Sequence, residues 1–456
     1  MSDVLPLMGP LPVHQIASRF AEYFGGLGLP VGRVLLGVSG GADSLALLHL
    51  MHTVALPMGF ELVVAHADHG LHPDSDQVAN LVSRYAASLS LPAVVGRLNL
   101  PPGASESASR DARRAWLDQV RVEQGCAFLI LGHQRDDQVE TVLMRVLAGS
   151  GPAGLAAMMA VQGTVVRPLL NFTREELAGY LAEAGWRCWQ DPANADPRHT
   201  RSWLRVAVLP LLAGREPSVA DLLVRVADQA GENRRAWDTV LEQLPALGVA
   251  VESGGVSVAA APLLGYDSGL ARTLIQAAGR RAGAVVGPKV AERVRMLVAS
   301  GRSGAWVPLG GAWRAELDFG RLRIIRREGR LPLSQTGLGV ASPGAVRWGR
   351  WNLAWRHEPA PDRVPRDGWT SWFIPGGCTV RAWHAGDRIR PRGGVGRRLV
   401  VHCMQDALVP RADRLDWPVL LAPEVGPLLW IPGICRAEDA VPPPGSEALR
   451  IDVDPG

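Results

Sequence analysis

Three groups of residues in this 456-residue chain carry side chains suited to chemistry. The first is Ser39-Gly40-Gly41-Ala42-Asp43-Ser44, small residues with two hydroxyls and one carboxylate. Glycine lets backbone approach an anion, and N–H groups at a helix start point at it, so the string suits phosphate. Asp43 would repel phosphates unless a cation intervened. That implies Mg2+, which favours hard oxygen ligands, between Asp43 and a polyphosphate. The loop lacks the lysine of a Walker A sequence. The second group is His133 with Asp137 and Glu140. The two acids stand three apart on one helical face and can grip a cation or an ammonium, although acid in a first turn is also favoured by the helix dipole alone. The third is Glu106, Arg110, Arg113 and Leu117, one helical face by spacing, which taken alone reads as a solvated, salt-bridged surface.

The elements that must position these groups are legible around them. Val34 to Gly37 reads as a strand entering the loop, and Leu45 to Leu48 as the helix leaving it. Ile16, Phe20, Tyr23 and Phe24 recur at helical spacing and predict an opening amphipathic helix. Phe60 to Leu71 is a second apolar run that ends in polar residues, among them His66, Asp68 and His69; Pro92 to Leu98 reads as a third strand and Phe128 to His133 as a fourth. Ligands of a parallel α/β sheet collect at the carboxyl ends of its strands, where His66, Asp68, His69 and His133 fall. Thr173 with Glu176 three residues on has capping-box spacing and predicts a helix start. Farther along, Ser218–Leu244 and Leu270–Val298 have helical period, Trp306–Ile325 reads as short strands, and residues 326–345 read as a linker. The last hundred residues are strand-like pieces with one short helix near Met404.

Composition narrows the classes. The net charge is +4, and arginine supplies it almost alone, since Lys289 is the single lysine. The cysteines Cys126, Cys188, Cys378, Cys403 and Cys435 form no C-x-x-C pair, which argues against a disulfide framework and against zinc or iron–sulfur spacing. No apolar run reaches spanning length and no signal pattern opens the chain, so a cytoplasmic location is expected. Between Arg381 and Arg414 lie eight arginines and three aspartates, a basic surplus suited to a phosphate backbone.

The Ser-Gly-Gly-x-Asp-Ser order resembles the PP-loop of the N-type ATP pyrophosphatases, which cleave ATP to AMP and pyrophosphate to activate a carbonyl oxygen. Within that superfamily the chain is similar to the tRNA(Ile)-lysidine synthase family over nearly its whole length. The likeness rests on Gly132-His133-x-x-Asp136-Asp137-Gln138-x-Glu140-Thr141 continuing through Gly149-Ser150-Gly151, on the segment from His66 to Leu71, on Glu106, Arg110 and Arg113, and on Asp191-Pro192-x-Asn194-x-Asp196 with Arg201 and Arg205. Gly386 to Pro391 and Trp430 to Gly433 extend it to the C-terminus. His72 stands where an Arg is usual, Ser202 where an Asn is usual, and Arg397 and Arg398 where paired lysines often stand.

The resemblance implies an α/β fold: a doubly wound parallel-sheet, Rossmann-like PP-loop domain over 1–212, a mainly helical middle domain over 213–330, and a linker with a β-rich α+β C-terminal domain over 331–456. It implies ATP-dependent ligation of L-lysine to C2 of the wobble cytidine of tRNA(Ile) with a CAU anticodon, through an adenylated cytidine, switching the codon read from AUG to AUA. ATP would be a substrate and Mg2+ a cofactor. Ser39, Gly40, Gly41, Ala42, Asp43, Ser44, His66 and Arg110 would bind ATP, with Asp43 on Mg2+. Asp43, Arg113, His133 and Asp137 would be catalytic, and Asp137, Glu140 and Arg205 would bind lysine. Arg388, Arg390, Arg397 and Arg398 would grip tRNA. The oligomeric state stays open, a homodimer included. So do three rival readings: a PP-loop tRNA thiolase, which would call for cysteines near a site where only Cys126 and Cys188 fall; a glutamine-dependent amidotransferase, which would call for a glutaminase domain; and a non-enzymatic tRNA-binding protein that kept the ATP fold.

Overall fold

Apolar residues at helical period build the first element. Ile16, Phe20 and Phe24 are buried along one face of helix α1, Val13–Gly26, with Phe20 and Phe24 stacked at 5.7 Å. The computed structural model describes residues 13–68, 75–98, 106–189, 200–252, 254–327, 333–338, 342–365, 368–423, 426–439 and 441–455. The chain divides into two compact units, 1–236 and 237–456.

In the first unit the predicted strands form: β1 Arg33–Gly37, β2 Glu61–Asp68, β3 Ala93–Arg97 and β4 Phe128–Leu131, joined by helices α2 Ala42–Ala55, α3 Ser75–Ser88 and α4 Glu106–Glu123. After β4 come α5 Arg135–Leu147, α6 Pro152–Leu155, the short strands β5 Val161–Gln162 and β6 Val165–Val166, and α7 Arg174–Glu183. The sheet order is β3-β2-β1-β4-β6-β5, parallel but for the β5–β6 pair. Val34, Leu35 and Leu36 are wholly buried, as befits a strand covered on both faces. Val34 and Leu36 pack with α1, α2, α3 and α7, whereas Leu35 packs with Leu117 and Val120 of α4. The sheet is therefore doubly wound. The chain runs outward from β1 through β2 to β3 and then returns to β4 on the other side of β1. That reversal opens a crevice at the carboxyl ends of β1 and β4, the standard ligand position of such sheets.

In the second unit the run read as helical over 270–298 is two helices, Ser268–Ala282 and Pro288–Ser300. Gly283 at φ +89° ends the first, and Pro288 in the first turn starts the second. They pack through Leu274, Ile275 and Val294 on a five-stranded antiparallel sheet. Its strands Ala305–Gly310, Trp313–Asp318 and Arg321–Arg326 match the sequence reading, and it adds Ala250–Glu252 and Gly255–Ala259. Beyond it lie a second five-stranded sheet, a four-stranded sheet and a two-stranded ribbon, with the short helix Val400–Asp406 at the place expected near Met404.

Tryptophan builds this last core. Trp348, Trp351 and Trp430 are buried, and Trp351 meets Trp417 edge to face at 5.0 Å. Indole N–H groups of Trp348, Trp351 and Trp417 donate to the carbonyls of Ser334, Asp416 and Pro432 at 2.8–3.0 Å. Each ring thus fills volume while its polar atom stays satisfied.

Candidate active site

The loop between β1 and α2 is held by its neighbours. Val38 donates its N–H to Ala65, and the buried His66 donates from Nδ1 to the Val38 carbonyl at 2.8 Å. Burial lowers the His66 pKa, so the ring acts as a neutral strut between β2 and the loop. Gly40 sits at φ +88°, and a Cβ there would lie 2.5 Å from Val78 Cγ1. Ser44 Oγ accepts from the Ser39 N–H at 3.1 Å and donates to the Gly41 carbonyl at 2.9 Å. Gly41 is the N-cap of α2 and offers no capping side chain. The first-turn amides are therefore presented to a ligand, the arrangement that binds phosphate.

Asp43 lies in that first turn with Oδ1 buried and without a hydrogen-bond partner among the described residues. Burial, and then the nearby Asp137 carboxylate, push its pKa up to about 6. An orphan carboxylate oxygen beside a second acid fits a cation. Among the described residues no three His, Cys, Asp or Glu side chains converge on a metal. One carboxylate completed by phosphate oxygens is the way Mg2+ is commonly held with nucleotides.

Beyond β4, Gly132 lets strand and loop close on each other. A Cβ there would stand 3.1 Å from both the Asp43 carbonyl oxygen and Ser44 Cα. Gln134 then caps α5 by accepting from the Asp136 N–H, and Asp137 Oδ2 accepts from the Gln134 N–H at 3.2 Å. Asp137 therefore has a capping role that the sequence reading missed, because Gln is outside the usual Ser/Thr capping-box signature. Its Oδ1 lies 3.7 Å from Arg174 Nη2, and burial raises its pKa. Glu140 is fully buried. Its Oε1 accepts from Arg205 Nε at 2.8 Å and lies 3.6 Å from Arg174 Nη2, and its Oε2 has no hydrogen-bond partner among the described residues. Glu140 and Arg205, both expected in a lysine site, are thus brought together. Arg174 was not expected. Its place follows from α7, whose predicted Thr173–Glu176 capping box is present.

His133 is kept neutral. Burial lowers its pKa to about 3, and the positive charges of Arg167, Arg110, Arg113 and Arg201 act in the same direction. Its Nδ1 is buried with no hydrogen-bond partner among the described residues. Arg110 and Arg113 thus act on the crevice electrostatically, while Leu117 turns into the core. His69, Gly70, Leu71, His72, Asp191, Pro192, Asn194 and Asp196 lie outside the described residues, as does the side chain of Glu106. Ser202 is buried in the helical turn that precedes Arg205.

The C-terminal arginines separate into two kinds. Arg381 is buried and grips Asp387 with both terminal nitrogens at 2.8 and 2.9 Å, and Arg414 is buried against the Val409 carbonyl. Arg388, Arg390, Arg397 and Arg398 are exposed. They lie on and beside the ribbon that pairs Arg388–Ile389 with Arg398–Leu399, and Arg398 ion-pairs with Asp406. A charge count along the sequence cannot distinguish these kinds.

Comparison with known proteins bears on the whole chain. A family profile described as a PP-loop domain matches residues 12–212, and one described as the TilS substrate C-terminal domain matches residues 378–453. A tRNA(Ile)-lysidine synthase of Symbiobacterium thermophilum is 31% identical, over 96% of this chain and 98% of that protein. One of Geobacter sulfurreducens is 31% identical, over 96% and 97%. A solved U34-tRNA thiolase of Methanococcus maripaludis is similar over 48% of this chain and 78% of that one, at 18% identity and a TM-score of 0.41, a likeness too low to bear on activity.

Proposed function

This chain belongs to the tRNA(Ile)-lysidine synthase family, and from that membership we propose how its residues divide the reaction. The activity is ligation of lysine to C2 of the wobble cytidine of tRNA(Ile), with ATP split to AMP and diphosphate. The C2 carbonyl of cytosine is urea-like and a poor electrophile, so its oxygen must become a leaving group. Attack of that oxygen on the α-phosphorus of ATP expels pyrophosphate. The lysine ε-ammonium then gives up a proton, and the free ε-amine attacks C2 and expels AMP.

The observation that carries the assignment is the uncapped start of α2 at the switch point, with the orphan Asp43 carboxylate close enough to Asp137 for the two charges to repel. The amides of Ala42 and Asp43, with Ser39 and Ser44, hold the phosphates, and Gly40 and Gly41 let the nucleotide approach. Mg2+ held by Asp43 and phosphate oxygens would neutralise charge on the departing pyrophosphate. His66 fixes the loop. Arg110 and Arg113 balance phosphate charge, and neutral His133 offers an imidazole to the adenylated base.

Lysine reaches the site as a cation, since the reference pKa of its side chain is about 10.4. Asp137 and Glu140 attract it, and Arg205 keeps the Glu140 carboxylate oriented. The catalytic part is 1–212; the parts 213–330 and 331–456 hold the tRNA, the latter through Arg388, Arg390, Arg397 and Arg398. The base must leave its loop stack to be reached.

Nucleotide products test this division. Incubation with tRNA(Ile) and ATP should give AMP and pyrophosphate; ADP and phosphate as main products would contradict it.

A further inference from the structure

Asp137, Glu140, Arg174 and Arg205 form a cluster of two carboxylates and two guanidinium groups. The two arginines are held differently. Arg205 Nε donates a 2.8 Å hydrogen bond to Glu140. Arg174 Nη2 lies 3.6 Å from Glu140 and 3.7 Å from Asp137, beyond hydrogen-bond reach, and its side chain is one-third exposed. Among the described residues the Arg174 side chain makes no hydrogen bond, while its backbone N–H is anchored on Asp136 Oδ2 at 2.9 Å. It is a forked donor on a fixed root, ion-paired to both acids but making no side-chain hydrogen bond among the described residues. Glu140 has the complementary property, a buried acceptor oxygen without a hydrogen-bond partner among the described residues.

Such a fork and an orphan acceptor side by side match a small zwitterion, carboxylate to the fork and ammonium to the oxygen. We propose that Arg174 reads the α-carboxylate of the incoming lysine while Glu140 takes its α-ammonium, making Arg174 a specificity-determining residue. The inference rests on lysine being the nucleophile of the ligase. It meets a chemical need of that reaction. A diamine carries an equally good nucleophile, and a site of carboxylates alone would accept it and attach the wrong group to the tRNA. Requiring the carboxylate excludes diamines and carboxyl-blocked lysine.

The test compares lysine with lysinamide and cadaverine as substrates of the full-length enzyme on tRNA(Ile) with ATP. In the wild type, kcat/KM for lysine should exceed that for lysinamide by roughly 10- to 100-fold, the worth of a charge-assisted hydrogen bond. Arg174→Gln should bring that ratio close to one, chiefly by raising KM for lysine. Arg174→Lys, which keeps the charge but loses the fork, should give an intermediate ratio. Each enzyme is its own control, because the ratio cancels effects on folding or adenylation. A wild type that uses lysinamide as well as lysine overturns the proposal, and so does an Arg174→Gln enzyme that keeps the wild-type ratio. Should that variant give no product, Arg174→Lys decides: a reduced ratio supports the role and an unchanged one overturns it. Failure of the wild type to release pyrophosphate on tRNA would instead count against the parent reading, which the ratios do not address.

Discussion

The backbone N–H of Trp189 donates to the carbonyl of Gly40 at 3.0 Å, tying the segment after α7 to the phosphate loop. That segment is itself fixed, since Trp186 stacks on Tyr85 at 4.0 Å and the Tyr85 hydroxyl bonds both backbone groups of Arg187. The loop is therefore braced from outside as well as by His66. Gly40→Ala should break this arrangement twice, through left-handed strain of about 1–2 kcal/mol and through collision with Val78. Expected are a lower melting temperature and a large loss of ATP affinity by calorimetry. Wild-type ATP binding by this variant would show that the loop tolerates another shape.

Asp43 gives a pH prediction. Its folded-state pKa, raised to about 6 from 3.8, means the native protein holds this proton more tightly than the unfolded chain. Stability should therefore fall as pH rises from about 4 to 6, and at pH 7 the ionised carboxylate costs on the order of 1–3 kcal/mol. Asp43→Asn should accordingly be more stable than wild type at pH 7 and nearly equal at pH 4, while AMP formation collapses. Equal unfolding midpoints at pH 7, or undiminished AMP formation, would refute the assignment.

Asp137 has two tasks that substitution can separate. Asp137→Asn keeps an oxygen to accept from the Gln134 N–H, so the cap of α5 survives while the charge is lost. Lysine use should weaken more than ATP use, by roughly 10- to 100-fold in KM. Asp137→Ala should lose the cap as well and cost about a further 0.5–2 kcal/mol of stability. Equal damage to both substrates by the Asn variant would point to a purely structural residue.

Arg397 and Arg398 are exposed, and the Arg398–Asp406 pair lies at the surface, where such pairs contribute little. Arg397→Ala with Arg398→Ala should leave thermal stability unchanged within about 0.5 kcal/mol. It should weaken tRNA binding and flatten its salt dependence by about 0.7–0.9 in log–log slope for each phosphate that is no longer neutralised. Unchanged tRNA binding at every salt concentration would assign both side chains to a merely solvated surface.

Local signals are legible in the sequence and long-range ones are not. The loop from Ser39 to Ser44, the helix period of Ile16, Phe20 and Phe24, and the Thr173–Glu176 box all act within a few residues, and each appears as expected. The strands Ala250–Glu252 and Gly255–Ala259 are missed because they are only three and five residues long, although Ser253-Gly254-Gly255 between them is a turn signal in the sequence. Arg174 is missed too, because its meaning comes from α5, a different helix, through Asp136, Asp137 and Glu140. The burial of Arg381 and Arg414 is invisible for the same reason, since only tertiary packing decides which charges reach solvent.

This chain makes lysidine through an adenylated cytidine. Nucleoside mass analysis of tRNA(Ile) with a CAU anticodon, after incubation with ATP and lysine, tests it most directly. The wobble cytidine should be converted to its lysine adduct, one AMP appearing per adduct, and omitting either ATP or lysine should abolish the product. Unmodified cytidine under the complete conditions, or a sulfur-containing base in its place, would contradict it.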